Sequence, residues 1–213
     1  MRKMRIQYAI DKALGDGIRI ANLIREYVEI IEIGDGVLLR ESLKAISLMK
    51  QIFPEKKILA DLKIMDGGYS MGKEAFELGA DIVTVCAAAD PDCSLGLVRA
   101  AKEAGKESWI DLIGVDPRDY HKYVDFVNQS GADYICAHLS GGIFKDEPGI
   151  YARKDAIKLM GKLGFENKVV LSGGLTLEYL PEIRACNPYH VNLGGVLTRA
   201  KDPVKIAKAF FEA

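Results

Sequence analysis

Short runs of β-branched and apolar residues alternate with amphipathic stretches along the whole chain, eight times over. This alternation constrains the fold more than any other feature. A helix that follows a strand carries the chain back across the sheet face, so the next strand joins in parallel. The strand runs are RIQYAID (5–11), VEIIEI (28–33), KILADLKI (57–64), DIVTVC (81–86), SWIDLI (108–113), DYICAH (133–138), KVVLS (168–172) and HVNLG (190–194). Between them, LLRESLKAISLMKQIF (38–53) brings Leu39, Leu43, Ile46 and Met49 to helical spacing and predicts one helix. CSLGLVRAAKEAG (93–105) predicts another. In DPVKIAKAFFEA (202–213), Asp202 is the expected N-cap and Pro203 the first helical residue. Eight units in 213 residues fit an α/β fold, a (β/α)8 TIM barrel, whereas a doubly wound sheet offers no reason for a count of eight. No linker, low-complexity segment or composition shift divides the chain, so residues 1–213 read as a single domain.

Composition narrows the partners. A net charge of −1 leaves no basic footprint for nucleic acid. No stretch approaches the roughly 18 apolar residues of a membrane span. The apolar run in MRKMRIQYAI is too short for a secretion signal and is broken by Gln7. Cys86, Cys93, Cys136 and Cys186 have neither CxxC nor metal spacing, which reads as reduced thiols in a cytoplasmic protein.

A barrel carries its chemistry at the C-terminal ends of its strands. Asp11 closes the first run and Glu32 lies near the end of the second. The third carries Asp61 and Lys63, two apart and therefore on one face, with Asp66 just beyond in DLKIMDGG. Asp111 lies in the fifth and His138 ends the sixth. The seventh runs into Ser172-Gly173-Gly174 and the eighth into Gly194-Gly195. Ionisable groups thus converge from five strands. His121, in a polar helix, and His190, at the opposite end of the barrel, read as structural.

Carboxylates on either side of Lys63 favour its ammonium form, which suits charge stabilisation and argues against a Schiff-base aldolase. Glu32 and Asp61, on adjacent strands, are the carboxylate pair expected to hold Mg²⁺, which would stabilise an enediolate. His138 is the candidate for proton transfer at carbon, oriented by Asp111. The glycine turns, with Asp11 and Ser172 beside them, are placed to receive a phosphorylated sugar.

With these residues in hand, the chain resembles the orotidine monophosphate decarboxylase superfamily, marked by D-x-K-x-x-D on the third barrel strand, here Asp61, Lys63 and Asp66. The likeness runs from AID (9–11) through VEIIEIG (28–34), LADLKIMDGG (59–68), GADIVTV (79–85), GADYICAH (131–138) and LSGGL (171–175). It is nearest to the branch holding 3-hexulose-6-phosphate synthase and 3-keto-L-gulonate-6-phosphate decarboxylase. Asp111 where the decarboxylase has Glu, Gly141 where it has Arg, and Gly194-Gly195-Val196 where it has another Arg all lean to the synthase. The resemblance implies aldol condensation of formaldehyde with D-ribulose 5-phosphate, or the reverse. The decarboxylase reaction is the alternative. It also implies Mg²⁺ on Glu32 and Asp61, Lys63 and Asp66 at the enediolate, and proton transfer by His138. A homodimer is implied too, with Asp66 near the subunit interface and able to serve the neighbouring site. A ketopentose-phosphate epimerase would need two metal-binding histidines, and only His138 is at the right end of a strand. A non-catalytic sensor would leave so many buried charges unexplained. Two departures stand out: Gly34-Asp35-Gly36 replaces the branch's Gly-Thr, and the segment 139–155 after His138 is unlike the synthase's.

Overall fold

A computed structural model describes residues 3–139, 153–166 and 168–213. Its strands are β1 (Ile6–Ile10), β2 (Ile30–Ile33), β3 (Lys57–Ile64), β4 (Ile82–Cys86), β5 (Glu107–Asp111), β6 (Tyr134–His138), β7 (Lys168–Ser172) and β8 (His190–Leu193). All pair in parallel and in chain order, and β8 closes onto β1. The expected barrel is what forms.

Helices cover the outside. They are α1 (Leu14–Leu23), α2 (Asp35–Glu41), α3 (Lys44–Ile52), α4 (Gly68–Glu77), α5 (Pro91–Ala104), α6 (Val124–Ser130), α7 (Arg153–Met160), α8 (Leu180–Cys186), α9 (Gly195–Thr198) and α10 (Pro203–Phe211). Their ends follow local chemistry. The Asp90 side chain accepts the Asp92 amide at the start of α5, and Gly105, at φ 64°, closes it. At α10 the Asp202 carboxylate accepts the Lys205 amide at 2.9 Å, as the sequence leads one to expect.

One expectation is corrected. Residues 38–53 do not form a single helix, because Ser42 takes a positive φ of 63° and separates α2 from α3. Val37 and Leu38 form the buried side of α2, which leaves Leu39 88% exposed. Two short helices can face different layers. α3 buries Ala45, Ile46 and Met49 in the outer core, while α2 starts directly after β2 and holds Asp35 at the barrel mouth.

The pleat divides the interior into tiers. Ile30, Leu59, Ile82, Trp109, Tyr134, Cys136 and Val170 form a cluster separate from the larger core between strands and helices. One pleat step further along the same strands stand Glu32, Asp61, Thr84, Asp111, His138 and Ser172. The lower end of the barrel is thus largely apolar, with each large side chain contributing about 1.5–3 kcal/mol by burial, and is interrupted by the buried polar side chains of His190 and Gln7. The polar tier opens only at the C-terminal ends. Among the described residues no helix is long and apolar enough to cross a membrane, and the four cysteines are free thiols.

Candidate active site

The site is organised by an irregularity in β3. Its register against β4 shifts between Ala60 and Ile64, and Lys63 takes φ 44°. A side-chain-bearing residue in the left-handed region costs about 1–2 kcal/mol, and bulges of this kind re-aim side chains next to active sites. Neighbours hold the strained residue. Its amide donates to Thr84 Oγ1 at 2.9 Å, and its carbonyl accepts from Cys86 Sγ at 3.5 Å. The ammonium pairs with Asp61 and lies 3.3 Å from Asp35.

Asp61 is almost fully buried and accepts the Thr84 hydroxyl at 2.9 Å besides its bond from Lys63. Burial pulls the Lys63 pKa down, but Asp61 and the acids around it outweigh burial and hold it above the ordinary lysine range. Lys63 is therefore a fixed cation.

Glu32 is 4% exposed, and its Oε2 accepts from the Gln7 amide and from Asn192 Nδ2, the latter at 2.7 Å. Its Oε1 takes no hydrogen bond from the described residues. Burial, followed by the charge of Asp61, drives the Glu32 pKa well above the usual carboxylate range. Asp11, just past β1, is raised for the same two reasons. Its carboxylate is cradled by glycines: a Cβ on Gly34 would lie 2.8 Å from Oδ1, and one on Gly194 would lie 2.5 Å from Oδ2. Four carboxylates (Asp11, Glu32, Asp35 and Asp61) thus surround one lysine, so the site is short of positive charge.

Across the barrel, His138 Nδ1 lies 2.9 Å from Asp111 Oδ2, and Asp111 Oδ1 accepts the Ile113 amide at 2.8 Å. An acceptor at Nδ1 requires a proton there, which leaves Nε2 as the nitrogen open to a reactant. Burial lowers the His138 pKa and Asp111 raises it, and the net direction is upward. Cys136 lies behind the pair, within 4.8 Å of both, but burial and Asp111 hold its thiol protonated.

Two lobes form one cleft. The charged lobe, about 270 Å³, is lined by Ala9, Asp11, Glu32, Asp35, Asp61, Lys63, Ile113, His138, Ser172 and Asn192, with Gly173, Gly174, Gly194 and Gly195 at its edge. The same four glycines, Asp11 and His138 also line a second lobe of about 560 Å³, which adds Leu139, Leu175, Thr176, Val196, Arg199, Ala200 and Ile206. Gly173 has φ 93°, and a Cβ there would meet the Leu139 carbonyl oxygen at 1.9 Å, so this turn requires glycine. Arg199 folds back over Gly195, where a Cβ would be 2.4 Å from its guanidinium. Arg153 covers Gly174 and donates to the Gly173 carbonyl at 2.7 Å.

Most of the residues expected from the sequence are therefore brought together: Asp11, Glu32, Asp61, Lys63, Asp111, His138, Ser172, Gly173, Gly174, Gly194 and Gly195. Asp66 is not. It is exposed, accepts the Gly67 amide at 2.7 Å and lines neither lobe, because the bulge that turns Lys63 inward sends the following residues outward. Gly141 and most of the segment 139–155 lie outside the described residues. His190 is buried at the lower end of the barrel among Trp109, Tyr134 and Tyr189, and burial then nearby cations bring its pKa down to about 3. Sequence reasoning missed Gln7, Thr84, Asn192 and Arg199. Gln7, Thr84 and Asn192 share one signal, a polar residue at the inward parity of a buried strand. Arg199 had none, since its reach over Gly195 depends on the turn of α9.

The profile of the orotidine 5′-phosphate decarboxylase / HUMPS family matches residues 4–210. The chain belongs to that family. A protein of Bacillus subtilis (strain 168) named 3-hexulose-6-phosphate synthase is 35% identical over 206 residues, covering 96% of this chain and 95% of that protein. The crystal structure of 3-hexulose-6-phosphate synthase from Salmonella typhimurium superposes with a TM-score of 0.87 at 32% identity, covering 97% of this chain and 96% of that one. The structure of 3-keto-L-gulonate-6-phosphate decarboxylase from Vibrio cholerae gives 0.79 at 25% identity, covering 99% and 96%. On β3, Asp61 and Lys63 face the cleft while Asp66 is exposed.

Proposed function

We propose that this family member is a sugar-phosphate lyase that condenses formaldehyde with D-ribulose 5-phosphate, or runs the reverse cleavage. The observation that carries the reading is the pairing of a locked cation, Lys63, with an aligned His138–Asp111 pair in one cleft. The names of the relatives at 32–35% identity support the same reaction.

Nε2 of neutral His138 takes a proton from the sugar carbon next to the carbonyl, and the electron pair moves into an enediolate. The Lys63 ammonium stabilises the negative charge on its oxygens without forming a covalent bond, since it never becomes a free amine. The carbon then attacks formaldehyde, and the resulting alkoxide takes a proton back from the imidazolium. Asp111 fixes the histidine tautomer and stabilises the imidazolium between the two transfers. The decarboxylase of the same branch is the second reading, because it needs the same enediolate. Asp111 favours the synthase, as a short carboxylate that already meets His138. Formaldehyde consumption with ribulose 5-phosphate, run beside CO₂ release from 3-keto-L-gulonate 6-phosphate, separates the two.

Mg²⁺ fits this donor set. Hard carboxylate oxygens are in excess of cations, and Glu32 Oε1 faces no protein donor among the described residues. Glu32 and Asp61 would hold it, and when bound it supplies Lewis-acid neutralisation at the sugar's vicinal oxygens. At 100 times its Kd, Mg²⁺ stabilises the fold by about 2.7 kcal/mol, and the expected rise in Tm is roughly 5–10 °C for a chain of this size. Glu32→Gln should lose that rise. An equal rise in the variant would remove Glu32 as a ligand.

The larger lobe is the proposed phosphate subsite, with Arg199 as its cation. A charged hydrogen bond contributes about 1.5–3 kcal/mol, so Arg199→Ala should raise KM for the sugar phosphate by roughly 10- to 100-fold with kcat little changed. A fall in kcat at constant KM would move Arg199 from binding to chemistry. The homodimer that the resemblance implies is part of this proposal, and sedimentation should give twice the chain mass.

A further inference from the structure

The lower interior of the barrel reaches the site through one chain of hydrogen bonds. His190 Nε2 lies 2.8 Å from Gln7 Oε1, and Gln7 Nε2 donates to Glu32 Oε2. All three side chains are at most 4% exposed. The direction of each bond follows from chemistry. In its ionised form, the one that would hold a metal, the Glu32 carboxylate only accepts, so the amide nitrogen of Gln7 faces Glu32 and its oxygen faces His190. His190 must then carry its proton on Nε2. Its Nδ1 has no hydrogen-bond partner, which suits a bare nitrogen and leaves no buried N–H unpaired. Asn192, level with Gln7 on β8, donates to the same Glu32 oxygen at 2.7 Å and to Ser172 Oγ at 3.1 Å.

We propose that Gln7, held in one amide orientation by His190, is a positioning residue that turns Glu32 so that Oε2 is tied down and Oε1 is presented to the cleft. The inference rests on the reading of Glu32 as a metal-holding carboxylate. His190 is the second restraint on that orientation: without it the Gln7 oxygen is left buried without a donor, and the amide is held at one end only, by its bond to Glu32. Partners of this kind, one shell behind a ligand, commonly account for 10- to 100-fold in metal affinity.

The test measures Mn²⁺ binding by electron paramagnetic resonance, without substrate, in the parent chain, Gln7→Met, His190→Phe and the double variant. Gln7→Met keeps the side-chain length without the amide, and His190→Phe keeps a ring among Trp109, Tyr134 and Tyr189. Each single variant should weaken Mn²⁺ by roughly 10-fold or more, and the double variant should be no weaker than Gln7→Met, because His190 acts only through Gln7. Unchanged affinity in both single variants, or additive losses, overturns the relay. If the parent itself fails to bind Mn²⁺, or Glu32→Gln binds equally well, the metal reading fails instead. Crystal structures of the two single variants decide the relay in that case. A rotated Glu32 carboxylate supports it, and an unmoved one with unchanged Gln7 overturns it.

Discussion

Lys63→Ala is expected to lower kcat by about 10³-fold while leaving a folded barrel. A preorganised donor at a developing oxyanion typically contributes 10² to 10³ in rate, and Lys63 carries a full charge into a cleft that holds four carboxylates. A factor of 10³ corresponds to about 4 kcal/mol of barrier. The same change leaves Asp61 and Asp35 without their cation, so the metal-free variant should also be less stable, and added Mg²⁺ should restore part of that stability but none of the turnover. Lys63→Arg should not rescue the rate. The planar guanidinium cannot replace a compact ammonium that reaches its place from a strained φ of 44°. Single-turnover kinetics on variants checked by thermal melting make the comparison. A Lys63→Ala protein with more than a tenth of the parent's kcat would end the charge-stabilisation account.

The second large effect concerns pH. Neutral His138 is the working base, so activity should fall on the acid side as the imidazole becomes protonated. Its pKa is raised by Asp111 against the lowering effect of burial, and the midpoint of that limb should lie above the ordinary histidine value of 6.5. Asp111→Asn removes the largest raising influence, which moves the midpoint down. The same substitution should lower the plateau by about 10²- to 10⁴-fold, since the amide no longer fixes the tautomer or stabilises the imidazolium. His138→Gln should abolish the limb altogether. An acid limb that survives His138→Gln at its old midpoint would assign the titration elsewhere, with Asp11 and Glu32 the next groups to examine.

Much of the fold was legible because barrel strands are nearly continuous in their apolar character and a helix such as α10 is announced by a strong local signal, Asp202-Pro203. The break at Ser42 was not legible. Leu39 continues the helical periodicity, and only the need for α2 and α3 to face different layers overrides it. Most acids of the site were legible for a related reason: a charge in a buried strand is costly unless it is used or paired. Gln7 and Asn192 carried a weaker form of the same signal, because neutral amides in a strand are compatible with ordinary core hydrogen bonding.

By itself, then, the sequence determined the barrel, the end of it where chemistry occurs, the protonated state expected of Lys63 and the list of acids that meet there. These follow from periodicity and from the energetics of buried charge, both of which are local properties. The tertiary structure decided the rest. It showed that Asp66 leaves the cleft while Lys63 enters it, that Asp35 becomes a partner of Lys63, and that Arg199 returns over Gly195. It also joined His190, Gln7 and Glu32 in one line across β8, β1 and β2. Each of these depends on a bulge, a turn or the stagger between strands distant in sequence, and closure of the barrel sets that stagger.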